Sequence, residues 1–273
     1  NWSNVSARDY EKYGKIPDLK QQVDFYAKNI KNAKTKSYVI ISDALRYEVA
    51  KELVDEIKQD MQCKVELDHM EGIFPTITPF GMAALLPHKE LKVDIRNNKL
   101  KVLIDGESTD MPNREKVLRK TNEKSRVLKY DDMIHMKGEE RKELVKGMDV
   151  VYIYHDKIDS ASHTSDSMVF AACYEAIEEI KNLVRILVNE FSAVNIFITS
   201  DHGFLYTYEE LKEDDKVAQE GFEGLVELGR RYAIMNQSAN PSYLMPIKFI
   251  DETSGLKAFA TKDNIMLSRV DIY

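Results

Sequence analysis

The sequence predicts an α/β fold with a mostly parallel central sheet flanked by helices. Three observations carry this. Tyr38-Val39-Ile40-Ile41, Asp149-Val150-Val151-Tyr152-Ile153-Tyr154 and Asn195-Ile196-Phe197-Ile198-Thr199 are apolar runs of strand length. Amphipathic helical patterns follow the first two: Leu45, Val49, Leu53 and Ile57, then Phe170, Cys173, Ile177, Ile180, Val184 and Leu187. Each run also ends in acidic or imidazole residues, and open α/β sheets bind ligands at the carboxyl ends of their strands.

The bulk numbers narrow the class. A chain of 273 residues suits one large domain, or one domain with an insertion. A formal net charge of −7 argues against a wide, strong basic face for nucleic acid and leaves a local one open. Cys63 and Cys173 are the two cysteines, which fits a reducing, cytoplasmic compartment rather than a disulfide framework. No apolar run is long enough to span a bilayer, so no membrane partner is expected. The chain opens on Asn1-Trp2 and closes on Asp271-Ile272-Tyr273, which reads as a piece of a longer protein.

Residues 1–36 are polar, with Leu19, Val23, Tyr26 and Ile30 at helical spacing. They are expected to be a lead-in helical segment from an upstream region, with the domain itself over 37–273. Residues 63–68 alternate as a short strand, with Val65 and Leu67 inward. Thr78 precedes Pro79, which suits the first position of a short apolar helix. Residues 91–95 and 100–104 read as a hairpin turning at Asn97-Asn98, with Asp105-Gly106 closing the second strand. Residues 111–147 are charged and mostly helical, and 89–147 is expected to be a small inserted cap. Residues 243–249 and 256–260 fit peripheral strands, and 209–215 a surface charge run.

The chemistry gathers at the strand ends. Asp43 ends the first strand, Asp159 and His163 follow the second, and Asp201 with His202 follows the third. Asp43 alone also fits a helix cap. A parallel sheet brings these ends to one edge. Two carboxylates about 4 Å apart repel by about 4 kcal/mol at an effective dielectric of 20, so converging carboxylates need a cation or a proton. Oxygen and imidazole donors without thiolates suit zinc or manganese, with magnesium less favoured. Thr78, at a helix start whose free N–H groups attract anions, adds a hydroxyl that a metal can activate. A metal pair, a hydroxyl and such a helix start together suit attack on a phosphoryl group.

Four motifs then resemble a known family. Ile41-Ser42-Asp43-Ala44-Leu45-Arg46-Tyr47-Glu48, Pro75-Thr76-Ile77-Thr78 with Gly81-Met82-Ala83-Ala84-Leu85-Leu86-Pro87, Tyr154-His155-Asp156-Lys157-Ile158-Asp159, and Asp201-His202-Gly203-Phe204-Leu205-Tyr206 look like the PglZ domain. That domain belongs to the alkaline phosphatase superfamily and is best known from BREX phage-defence systems. The resemblance covers roughly residues 37–208. It implies an alkaline-phosphatase-like core and two divalent metal ions, zinc foremost. It implies that Thr78 is the nucleophile and that Asp43, Thr78, Asp201 and His202 share one metal. Asp159 and His163 would take the other. Arg46, His155 and Asp156 stand beside these positions as candidates for phosphate binding or for supporting the ligands.

Two departures accompany the resemblance. The superfamily supplies a further histidine late in the chain, and none follows His202 here, so the site of Asp159 and His163 is expected to be incomplete. Similar phosphodiesterases carry Asn-His after the nucleophile where this chain has Gly81-Met82. The leading expectation is a metal-dependent phosphodiesterase or nuclease acting on nucleotides or nucleic acid, with other defence-system proteins as partners. A catalytically incomplete scaffold module and a phosphomonoesterase are the alternatives.

Overall fold

Ser37–Ser42 form the strand on which the structure is built, β1, and all six residues are buried. The structure is a computed structural model, and it describes residues 8–10, 12–96, 99–162, 168–204, 216–217, 223–241, 244–261 and 266–267. His163, Leu205, Tyr206 and the charge run at 209–215 lie outside the described residues.

β1 lies inside a four-stranded parallel sheet. Val150–His155 (β6) pairs on one side of it and Asn195–Thr199 (β7) on the other. Ser125–Lys129 (β5) extends the sheet beyond β6, giving the order β5-β6-β1-β7. Val39, Ile40, Ile41, Val151, Tyr152 and Ile153 are almost wholly inaccessible to solvent. That is why these runs lack polar alternation: a parallel strand covered on both faces has no solvent side. Burying each such aliphatic side chain stabilises the fold by about 1.5–3 kcal/mol relative to exposure.

One face of the sheet is covered by Tyr47–Asp60 (α1) and Val169–Phe191 (α7). Val49, Leu53 and Ile57 of α1 pack with Cys173, Ile177, Ile180, Val184 and Leu187 of α7 against Tyr38, Ile40, Val151 and Ile153. Phe170, expected on the inner face of α7, is exposed, and Val169 points inward instead. Between the two helices Lys181 is buried and ion-paired to Glu56, Asp60 and Glu178.

The other face carries Thr78–Ala84 (α2) and two antiparallel sheets. The expected hairpin is present as Leu91–Arg96 (β2) and Lys99–Ile104 (β3), with Glu107–Ser108 (β4) added beyond it. Asp105 and Gly106 make the turn into β4, both with positive φ, of 48° and 84°. The second sheet has the order β11-β12-β10-β9, built from Leu225–Leu228 (β9), Tyr232–Asn236 (β10), Leu244–Ile247 (β11) and Leu256–Thr261 (β12). β11 and β12 fall on the expected peripheral strands. Lys216–Val217 (β8) and Met266–Leu267 (β13) pair in parallel.

Three expectations change. Residues 89–147 are not a cap throughout, because β5 is a strand of the central sheet. Arg114–Thr121 (α3), Tyr130–His135 (α4) and Gly138–Val145 (α5) are the connections around it. α3 guards the edge of β5, where Glu115 accepts the Val127 N–H and Arg119 donates to the Ser125 carbonyl. Residues 63–68 form no strand. Over residues 19–30 the lead-in segment folds as a 3-10 turn, Gln22–Asp24, and a π-helical turn, Tyr26–Ile30, rather than one helix, and residues 8–10 and 12–13 before them are helical. It is also part of the core, since Phe25, Tyr26 and Ile30 are buried against Val39, Ile41, Phe80 and Tyr152.

Candidate metal centre

The register of the central sheet builds the site. Ser42 is level with His155, and Ile41 with Thr199, so β1, β6 and β7 all end on the same edge. Asp43 leaves β1 there. The Asp43 N–H donates to the His155 carbonyl at 2.8 Å. Asp43 is not the cap of α1, which begins four residues later after Arg46 at its N-cap position. Its carboxylate is therefore free of that duty.

Asp201 follows β7 and is 1% exposed, against 7% for Asp43. Ala44 adopts a left-handed φ of 61°, and its N–H donates to Asp201 Oδ1 at 3.2 Å. The remaining oxygens, Asp43 Oδ1 and Asp201 Oδ2, are buried and accept no hydrogen bond. Both face one atom: His202 Nε2 lies 3.5 Å from Asp43 Oδ1 and 3.4 Å from Asp201 Oδ2.

Thr78 completes this group, with Oγ1 3.0 Å from the same His202 nitrogen. The other ring nitrogen, Nδ1, is 2.9 Å from the Gly203 carbonyl oxygen, which can only accept. Nδ1 therefore carries the proton in the neutral ring, and the Nε2 lone pair faces Thr78 and the carboxylates. A backbone carbonyl on the far nitrogen is the usual partner of a metal-ligating histidine.

α2 begins at Thr78, one residue before the expected start, with Pro79 in its first turn. Gly81 lets this helix approach so closely. A Cβ at Gly81 would overlap the Asp201 carbonyl carbon and oxygen.

The electrostatics match the geometry. Burial raises the Asp43 carboxyl from 3.8 to about 8, and the charges of Asp201, Asp159 and Asp156 add to the shift. Burial also raises Asp201, partly opposed by His202. Two buried carboxylates with orphaned oxygens around one imidazole lone pair and one hydroxyl fit a divalent cation. Asp159, on Lys157–Ser162 (α6), joins the group: an oxygen of Asp159, an oxygen of Asp43 and a nitrogen of His202 lie within 4.8 Å of one another.

The supporting candidates separate. His155 is buried and turned away from the cluster: Nδ1 meets Ser42 Oγ at 2.9 Å and Nε2 meets Glu179 at 2.9 Å. It holds the ends of β1 and β6 together through its side chain and its carbonyl. Asp156 is exposed and acts on Asp43 through charge. Arg46 ion-pairs with Glu48 and lies over the Phe204 ring, 4.9 Å from its centroid.

Sequence reasoning missed Gln22, Ala44 and Glu179. Left-handed alanine has no sequence signature, and Gln22 and Glu179 meet their partners only through tertiary structure. Gly81 was visible as a departure from a related pattern, yet its close approach to Asp201 was not.

Residues 20–268 match the family described as the BREX system PglZ alkaline phosphatase-like domain. The chain belongs to the PglZ domain family. The match runs beyond the motifs at both ends, into the Gln22 turn and the second antiparallel sheet. The α/β architecture, with its parallel four-stranded sheet flanked by helices, is alkaline-phosphatase-like. Alkaline phosphatase-like protein BrxZ of Escherichia coli O9:H4 (strain HS) is 38% identical over 225 residues, 79% of this chain and 26% of that protein. Alkaline phosphatase-like protein PglZ of Bacillus cereus (strain H3081.97) is 34% identical over 243 residues, 87% of this chain and 28% of that protein. The PglZ domain described here thus spans about a quarter of the length of these relatives. None of its described helices is long and apolar enough to cross a membrane.

Proposed function

We propose that this PglZ domain is a metal-dependent phosphoesterase, acting on phosphodiesters of nucleotides or nucleic acid, with Thr78 as its nucleophile. One observation carries the reading. The orphaned oxygens of Asp43 and Asp201 and the Thr78 hydroxyl all face His202 Nε2. Family membership supports a role in phage defence beside other defence-system proteins, and the named relatives support phosphatase-like chemistry.

Asp43, Asp201, His202 and Thr78 would hold one ion, and Asp159 with His163 a second. Zinc suits these donors best, and manganese or magnesium is the alternative. When bound, such ions lower the pKa of a coordinated hydroxyl and stabilise the attacking and leaving oxygens of an in-line displacement. Thr78 Oγ1 gives up its proton to solvent water and attacks phosphorus. An O–P bond forms as the bond to the leaving alkoxide breaks, and the alkoxide takes a proton. Water then attacks the phosphothreonine, releasing the product and restoring the hydroxyl. His202 and the two aspartates fix Thr78 against the sheet edge. Arg46, stacked on Phe204 two residues after His202, is the side chain assigned to the phosphate.

Hydrolysis of bis-p-nitrophenyl phosphate with added zinc or manganese tests the reading. Thr78→Ala is expected to lower kcat by at least about a hundredfold, since removing a nucleophile leaves only binding and electrostatic assistance. Equal rates would remove Thr78 from the reaction. A wild-type protein that binds no metal would favour the non-catalytic scaffold.

A further inference from the structure

We infer that Gln22 is the positioning residue that fastens the Thr78 segment to the Asp201-His202 segment, and so sets the shape of the metal centre. The inference rests on the function proposed above. It concerns a residue more than fifty positions before the nucleophile, in a segment that the sequence places outside the domain.

Gln22 is 2% exposed. Both donors and the acceptor oxygen of its side-chain amide are engaged. Nε2 donates to the Ser200 carbonyl at 3.0 Å and to the Asp201 carbonyl at 2.7 Å. Oε1 accepts the Ile73 N–H at 3.0 Å. The backbone around it is paired too: the Gln22 N–H donates to the Glu71 carbonyl at 2.9 Å, and the Glu71 N–H to the Lys20 carbonyl at 2.7 Å. One amide thus joins the strand end that carries Asp201 and His202 to the turn leading into Thr78.

Neither segment is held by a strand ladder at that point. Asp201 follows the last pair of the β1–β7 ladder, and Ile73 precedes α2 outside any strand. The Asp201 carbonyl that takes the Gln22 hydrogen bond is also the group against which Gly81 of α2 packs. Three facts therefore depend on one oxygen: where Asp201 points, how close α2 sits, and how far Thr78 Oγ1 lies from His202. Supporting residues of this kind typically change metal affinity or activity by 10–100-fold when removed.

Only glutamine has this pattern at this length. Glutamate would put a carboxylate against two carbonyl oxygens, methionine would keep the shape and lose all three bonds, and asparagine is one methylene short. A purely structural role predicts lower thermal stability with an unchanged site. A positioning role predicts a change at the site while the protein is still folded.

The experiment is zinc titration by calorimetry on the intact protein, wild type against Gln22→Met and Gln22→Asn, below each variant's unfolding midpoint. The expected result is zinc affinity lower by at least about tenfold in both variants, with kcat reduced and KM for bis-p-nitrophenyl phosphate little changed. Affinity within about twofold of wild type in a folded variant overturns the role. Hydrogen exchange on the wild type gives a second test that needs no variant. By reciprocity of coupling, zinc should slow exchange of the Ile73 amide, and an unchanged rate on zinc binding overturns the role. A wild type that binds no zinc overturns the proposed function and this role with it, whereas binding insensitive to Gln22 overturns the role alone.

Discussion

Burial lifts the Asp43 carboxyl to about 8, and its acidic neighbours reinforce the shift. The consequence for stability runs opposite to that of a salt-bridged aspartate. An unfolded Asp43 ionises near 3.8, so between that value and about 8 the native state holds a proton that the unfolded chain has lost. Stability from this group is complete below the lower value and is lost as pH rises toward the higher one. Metal-free protein should therefore melt at a lower temperature at pH 8 than at pH 5, and zinc should recover the difference. Asp43→Asn should flatten the profile, raise the metal-free midpoint at pH 8 and abolish zinc binding. Thermal unfolding in chelator across this range checks it, and a less stable Asp43→Asn protein at pH 8 would contradict the burial argument. Asp43 was legible as a strand-end carboxylate because β1 is an uninterrupted apolar run. Its freedom from capping was not, because three residues intervene before α1 and local pattern does not show them.

Among the elements, α2 shows how narrow the tolerances are. Its close packing requires no side chain at position 81, where a methyl group would strike the Asp201 backbone. Gly81→Ala should cost about 1–3 kcal/mol, as overpacking does, and should move Thr78 away from His202. Chemical denaturation gives the first quantity. Loss of hydrolysis with retained helical circular dichroism would show the second, and an unchanged rate would show that α2 can slide without consequence. Across the helical face, Lys181→Ala should destabilise by about 1–2 kcal/mol, because it removes charged hydrogen bonds to half-exposed carboxylates. The buried strands, the hairpin and α7 were legible from periodicity. β5 was not, because Ser125-Arg126-Val127-Leu128-Lys129 is short, polar at both ends and set among charged helices. An edge strand half covered by a helix carries little of the apolar signature of a central one.

For the molecule as a whole, the boundary at residue 36 was the least legible feature. The lead-in segment is polar on average, and the helical spacing of Leu19, Val23, Tyr26 and Ile30 does not reveal the 3-10 turn and the π-helical turn that form there, or the burial of Phe25, which lies off that spacing. Those residues nonetheless close the core: Phe25 meets Phe197 edge-on at 6.2 Å. Phe25→Ala should cost about 3–5 kcal/mol, a large fraction of the stability of a typical domain. A folded, fully stable chain lacking the first 34 residues would refute the assignment of this segment to the core.

The placement of β1 has a further consequence, for synthesis. Among the described strands it comes first in the chain, yet both its neighbours come late: β6 begins at Val150 and β7 at Asn195. At about 5–20 residues per second, on the order of ten seconds pass before the ribosome supplies the first partner. Throughout that interval Tyr38, Val39, Ile40 and Ile41 have no ladder to join. A nascent chain arrested before Val150 should therefore present this strand to a chaperone, and one released after Thr199 should not.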